Sequence, residues 1–198
     1  LLDRFLGFTG DFAASAEISI QLGAVLAIIA YERKRLALLI GQAGRERRGI
    51  AAMLGARGAA SWSSVLRASL AAHRNFWFLI GLGLAFLPAA AIGFLAHGWI
   101  KGHIFTPQTV AATSIVGGLI ILAVEARRDQ ARVHELEQVS LTSALWIGVA
   151  QCASLLPGMS RSGSTITGAR LLGFDRFAAA QFSFMLSAPV TAAALLFE

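Results

Sequence analysis

The sequence predicts an all-α, polytopic integral membrane protein with inverted repeats and a re-entrant helix–loop–helix. Three observations carry that prediction. Of the 198 residues, 56% are apolar and only 14% are charged, well short of the roughly 25% charge that coats a soluble domain. The stretches 76–96, 141–160 and 177–197 contain no Asp, Glu, Lys or Arg, and a helix needs about 20 residues to cross the hydrocarbon core. Basic residues gather in alternate connections, as they do on the cytoplasmic side of membrane proteins. A barrel would show short alternating segments instead. A soluble enzyme and a disordered chain are excluded by the same figures. The single Cys152 excludes an internal disulfide and a cysteine-based metal cluster.

Each element follows in order. Residues 12–31 form the first membrane segment, with Glu17 and Gln21 inside it. Residues 32–75 read as a basic cytoplasmic loop holding Arg33, Lys34, Arg35, Arg45, Arg47, Arg48, Arg57, Arg67 and Arg74. Its Gly/Ala/Ser-rich middle shows no convincing apolar stripe, so it reads as surface-lying. Residues 76–96 are the cleanest span, with Pro88 as a kink that neighbouring helices can tolerate. A short outer loop carries Lys101, and 108–124 is the next span. Arg127, Arg128 and Arg132 mark the following connection as cytoplasmic. Leu141 to Leu156 is then an apolar helix, broken by Pro157-Gly158, and a short second helix runs from about Thr165 to Leu172. Neither helix is a comfortable crossing, and short Gly/Pro-interrupted apolar segments mark a broken helix lining a polar cavity. Residues 141–172 are therefore expected to enter and leave by one face, and 177–197 is the last span. The net charge of +6 sits in these connections, which argues for a membrane surface and against nucleic acid. The four His share no ligand spacing.

An internal repeat joins the two ends. Leu6-Gly7-Phe8 recurs as Leu172-Gly173-Phe174, and the stretch from Ala14 to Leu22 aligns with Ala178 to Leu186. If 12–31 runs inward and 177–197 outward, the copies are inverted, an architecture that places sites near the bilayer midplane. The second copy follows a re-entrant loop. The chain opens on Leu-Leu-Asp and stops after an apolar block, so it is expected to be part of a longer protein. A first re-entrant loop is expected in roughly 30 residues before Leu1.

The chemistry is concentrated in Pro157-Gly158-Met159-Ser160-Arg161-Ser162-Gly163-Ser164-Thr165. A charged Arg in a membrane segment costs about 2.5–3.5 kcal/mol on insertion scales and is rarely idle. Ser160, Ser162, Ser164 and Thr165 surround it with hydroxyls. Gly158 and Gly163 allow close backbone approach, and a restarting helix aims free N–H groups at the loop. Together they suit an anion, most naturally phosphate. The ordinary reading, Arg161 snorkelling to headgroups while the Ser residues cap a helix, suits a lone Arg better than this cluster. No His or Lys adjoins Ser160 to activate it as a nucleophile. Gln151 is a cavity wall or an interhelical hydrogen-bonding group. Glu17 reads equally as a functional carboxylate or as a structural one at a helix end.

The same nine residues resemble the P-G-x-S-R-S-x-x-T motif of the undecaprenyl pyrophosphate phosphatases, the bacitracin-resistance family. Glu17 to Ala24 resembles the family's E-x-x-I-Q-L-G stretch, and Gln151-Cys152 and Phe182-Ser183-Phe184 also fit. Gln181 stands where the family often has Glu. The resemblance implies a bacterial inner-membrane enzyme that hydrolyses undecaprenyl pyrophosphate to the monophosphate and inorganic phosphate. That reaction recycles the peptidoglycan lipid carrier and confers bacitracin resistance. It implies a divalent cation, Mg or Ca, whose ligands are expected outside this chain in an E-G-x-T-E-F and S-S-x-G-H half-site. The candidate catalytic residues are Arg161, Ser160 and Thr165. The candidate substrate-binding residues are Ser162, Gly158, Gly163, Ser164, Gln151 and Glu17. The expected partners are a polyprenyl pyrophosphate lipid and the bilayer, with a homodimer as a further expectation. An inverted-repeat transporter or flippase for phosphate or lipid-phosphate is the alternative.

Overall fold

The computed structural model describes residues 11–55, 61–127 and 131–197. Leu6-Gly7-Phe8, the first half of the repeat's opening triplet, lies outside them. Among the described residues the structure is helical without strands. The helices are α1 (Asp11–Gly55), α2 (Trp62–Ala72), α3 (Arg74–His103), α4 (Pro107–Glu125), α5 (Leu141–Gln151), α6 (Arg161–Leu171) and α7 (Arg176–Phe197). Short 3-10 turns cover Leu136–Gln138 and Cys152–Leu155. Among the described residues, Arg74–Ala96 and Pro107–Glu125 are long and apolar enough to cross a membrane.

The described parts of the basic stretch 32–75 are helical rather than loop, and this corrects the sequence reading. The stretch continues α1 without a break to Gly55 and then forms α2. A helix of 45 residues is about 68 Å long, more than twice the hydrocarbon thickness, so α1 extends far beyond the expected span at 12–31. The stripe that holds it is Leu39, Ala43 and Glu46, inward at helical spacing, with Arg33, Lys34, Arg45, Arg47 and Arg48 exposed around it. Glu46 gives the stripe its anchor. Its carboxylate accepts from the backbone N–H of Phe76 at 2.6 Å and from Asn75 Nδ2 at 2.8 Å. A carboxylate there caps the orphan donors and favours the positive end of α3. Arg35 lies 3.9 Å from Glu137. Alternating small and charged residues hid the stripe, because only Leu39 carries a large buried apolar side chain.

Helix α3 also outruns its expected limit, reaching His103 with Pro88 inside it. It packs closely on α5 through small residues. A side chain at Gly81 would press on Ala144, and one at Gly148 would collide with the backbone carbonyl of Ala85. This is the small-residue contact that lets membrane helices approach. Thr106 caps α4 by accepting from Thr109 N at 3.2 Å, with Pro107 in the first turn.

Helices α5 and α6 form a hairpin whose two ends are tied together. Ser140 caps α5 by accepting from Ser143 N. Helix α6 ends at Gly173, φ +88°, with Gly173 N donating to Arg170 O and Phe174 N to Ala169 O. That is the Schellman pattern, which needs a left-handed residue that Gly adopts without strain. Arg132 N and Val133 N both donate to Gly173 O, and Asp175 N donates to Val133 O. The chain before α5 and the chain after α6 therefore meet at one end of the bundle. The core sits just inside that end, where Leu136, Ile147, Phe174, Phe182 and Leu186 are buried with Phe78. Phe182 meets both Phe78 and Phe174 edge-on, with centroids 6.1 and 6.3 Å away.

Candidate anion site at the helix break

The site forms where the hairpin turns. Helix α5 ends at Gln151, tightens into the 3-10 turn and breaks at Pro157-Gly158. The second helix restarts at Arg161, not near Thr165, so the sequence reading placed it four residues late. The reason is Ser160, whose hydroxyl accepts from Gly163 N at 3.1 Å and caps α6. Arg161 therefore occupies the first helical position, beside backbone donors that have no intrahelical partner.

Helix α4 fixes the depth of the turn. Thr113 Oγ1 donates to Pro157 O, and Ser114 Oγ donates to Gly158 O at 3.0 Å. These bonds satisfy the carbonyls that the break exposes. Thr113 lies about 18 Å along the axis from Glu125. Glu125 marks the charged end, where its carboxylate meets Arg170 at 3.3 Å and Arg176 at 2.8 Å. Ile121 lies against Gly163 and Met159 against Gly117, so the turn faces the middle of α4.

The glycines serve this packing. Gly158 has φ +93°, and a side chain on it would meet the Val110 carbonyl, Thr113 Oγ1 and Ser114 Oγ. A side chain on Gly163 would meet Ile121 and Ser160. On the side where a Cβ would stand, the space beside each glycine is therefore filled by protein.

The hydroxyls divide into two groups. Ser164 donates to Ser160 O at 2.9 Å. Thr165 is buried, bonded to the carbonyls of Arg161 and Ser162 and, at 2.6 Å, to Ser183 Oγ. These two are committed to the helix and to α7. Ser160 and Ser162 are exposed, with oxygens 3.3 Å apart. Among the described residues Arg161, half-buried, has no acidic partner.

A cavity of about 330 Å³ opens between the hairpin and α7. Gln151, Arg161, Ser162 and Thr165 line it from the hairpin, and Ser183, Phe184, Leu186 and Ser187 from α7. It therefore sets one cation and several hydroxyls beside the apolar Phe184 and Leu186. Gln151 is 1% exposed, and among the described residues neither its Nε2 nor its Oε1 has a hydrogen-bond partner. Ser187 and the pair Thr113–Ser114 were missed by the sequence reading. The signal for Ser187 was its i, i+4 spacing from Ser183 on an otherwise apolar helix. Glu17 falls on α1, and its side chain lies outside the described residues.

The cavity lining offers neutral oxygens and one cation, and no carboxylate. Among the described residues no group of three or more His, Cys, Asp or Glu could hold a metal ion. The described residues therefore do not fit the divalent cation implied by the resemblance.

The chain is 39% identical over 199 residues to the undecaprenyl-diphosphatase of Caldanaerobacter subterraneus subsp. tengcongensis, covering 100% of this chain and 64% of the relative. It is 41% identical over 201 residues to that of Sorangium cellulosum, covering 100% of this chain and 57% of the relative. A third relative, the undecaprenyl-diphosphatase of a Thermoanaerobacter species, is 39% identical over 195 residues, covering 98% and 63%. The chain spans about three fifths of the length of these curated relatives. The pattern described as "Bacitracin resistance protein BacA" matches residues 1–198 without interruption. With the Pro-Gly break, the Arg161 helix start and the apolar spans all inside that match, this chain belongs to the bacitracin resistance protein BacA family.

Proposed function

We propose that the protein containing this chain is a multi-pass enzyme of the bacterial inner membrane. It hydrolyses undecaprenyl diphosphate to the monophosphate and inorganic phosphate, returning the carrier lipid to peptidoglycan synthesis and so conferring bacitracin resistance. The observation that carries this reading is Arg161 at the capped start of α6, lining a cavity to which α7 brings the apolar Phe184 and Leu186 beside Ser183 and Ser187. A lipid diphosphate has the same polarity: an anionic head and an isoprenoid tail. The names of the relatives support the same substrate.

In the proposed reaction the oxygen of water bonds to the terminal phosphorus. The bond from that phosphorus to the bridging oxygen breaks, and the bridging oxygen leaves with the lipid monophosphate. Negative charge grows on the leaving phosphate, and fixed donors stabilise it without reorganising. Arg161 and the Ser162 hydroxyl are the donors that line the cavity on this side, and Ser160 caps the helix start beside them. Thr165 and Ser164 hold these groups rather than contact substrate. In this reading the hairpin α5–α6 is re-entrant, entering and leaving by the face that carries Glu125, Arg170 and Arg176. The cavity lining holds no carboxylate, so a divalent cation belongs to the proposal only through carboxylates from elsewhere in the protein. Neither the geometry nor the relatives favour the carrier alternative.

The test is phosphate release from a polyprenyl diphosphate by the full-length protein in nanodiscs. Steady release is the expected result. A correctly inserted protein that moves labelled lipid or phosphate across vesicles without hydrolysis would replace the enzyme reading with the carrier.

A further inference from the structure

The amide of Gln151 is not used by the donors described above. It is buried at the end of α5, it lines the cavity that Arg161 faces, and both of its polar atoms lack a partner. An unsatisfied amide inside a membrane protein is costly, and an apolar residue of this length would fill the position at lower cost. The facing stretches of α3 (81–93) and α7 (177–191) contain no titratable side chain. The charged and titratable groups around it are Arg161 on α6 and the Cys152 thiol, which is engaged with Gly148 O at 3.4 Å.

We propose that Gln151 recognises a protonated phosphoryl group, one P–O–H beside one unprotonated oxygen. A primary amide presents a donor and an acceptor side by side. A fully ionised phosphate has acceptors only, so it would satisfy Nε2 and leave Oε1 facing negative charge. The hydrogen-phosphate form satisfies both atoms: Nε2–H donates to the bare oxygen, and P–O–H donates to Oε1. Charge points the same way. Arg161 is the single cation among the described lining residues, so a singly charged phosphoryl group is the neutral match in a low-dielectric site. The last proton of a phosphate monoester comes off at about pH 6, so both forms are available near neutrality. Gln151 thereby sets which protonation state of the terminal phosphate the site accepts. This inference rests on the reading of the cavity as a phosphate site.

The experiment uses the full-length protein in nanodiscs with inorganic phosphate as the probe. Affinity is measured at about pH 6 and about pH 8, the range over which phosphate loses its second proton. A site built on Arg161 alone would bind the dianion better and tighten as pH rises. The wild type is expected to do the reverse, binding about tenfold tighter at the lower pH, the worth of one good hydrogen bond. Gln151→Met, which keeps the length and removes both orphaned atoms, is expected to lose or reverse that preference. Its melting midpoint should be unchanged or higher. Gln151→Glu, an acceptor once ionised, should weaken phosphate binding most at the higher pH. If the wild type hydrolyses lipid diphosphate and binds phosphate, yet Gln151→Met shows the same pH preference, this inference fails and the hydrolase reading stands. A Gln151→Met protein that binds phosphate normally but melts earlier would make the amide a structural group and overturn the inference. If the wild type neither binds phosphate nor hydrolyses, the hydrolase reading itself has failed.

Discussion

At the scale of single residues, Arg161 and Ser160 do different work although they are adjacent. Burying a guanidinium at membrane depth costs about 2.5–3.5 kcal/mol on insertion scales, and among the described residues no carboxylate offsets it. Replacing it should therefore leave folding intact while removing the main charge stabilisation. Arg161→Ala is expected to insert normally, melt no earlier than the wild type and lose about 100-fold or more in hydrolysis, as loss of a fixed donor does. Near-wild-type turnover would take Arg161 out of the site. Ser160 both caps α6 and faces outward, so Ser160→Ala should lower stability by about 0.5–2 kcal/mol and activity with it. The Ser164 hydroxyl is bonded within its own helix, so Ser164→Ala should leave activity within about threefold of the wild type, since surplus local bonds are worth about 1 kcal/mol or less. A larger effect of Ser164→Ala than of Ser160→Ala on kcat would reverse these assignments. The sequence shows four hydroxyls around one Arg. Which of them face the cavity depends on where α6 begins, and that was read four residues late.

At the scale of elements, the turn is held by a helix more than 40 residues away in the sequence. Thr113 and Ser114 satisfy the carbonyls of Pro157 and Gly158. Thr113→Val keeps the shape and removes the donor, leaving a carbonyl unpaired at a cost of about 1–3 kcal/mol. The expected result is an earlier melt and a higher KM, with the loss recovered by Thr113→Ser. Packing of α3 on α5 is more demanding. Gly148 faces the Ala85 carbonyl so closely that any Cβ collides with backbone, which cannot rotate away as a side chain would. Gly148→Leu is expected to abolish assembly of the hairpin, seen as protease sensitivity and loss of the folded fraction. A normal melt for that variant would contradict the α3–α5 contact. The expected span at 12–31 is only part of a 45-residue helix, more than twice the length a crossing needs. Residues 32–55 carry little hydrophobic signal because Leu39 is the one large apolar residue in a stripe completed by Ala43 and Glu46.

At the scale of the whole molecule, polar interactions collect at the end where the hairpin closes. Arg170, with a side chain 3% exposed, sits against Glu125 and donates to Phe174 O. Asp175 caps α7, accepting from Ala178 N at 2.7 Å, and meets His134 Nδ1 at 2.9 Å. The Ala178 N–H, with further help from His134, holds the Asp175 carboxyl below its ordinary pKa. A carboxyl lowered in the folded state stabilises above its unfolded pKa, and that contribution is lost as pH falls through the folded value. Melting in detergent should therefore fall as pH drops below the ordinary carboxylate range, and Asp175→Ala should shrink the drop. An identical pH profile in that variant would exclude the cap as a source. By itself the sequence determined the membrane class, the position of the helix break and the Arg161 motif, because charge, hydropathy and Pro-Gly chemistry act over a few residues. Only the tertiary structure decided the depth of the turn against α4, the protein contacts beside Gly158 and Gly163, and the contribution of Ser183 and Ser187. Those depend on which surfaces meet after the helices pack, and residues brought together from 44 positions apart leave no local pattern to read.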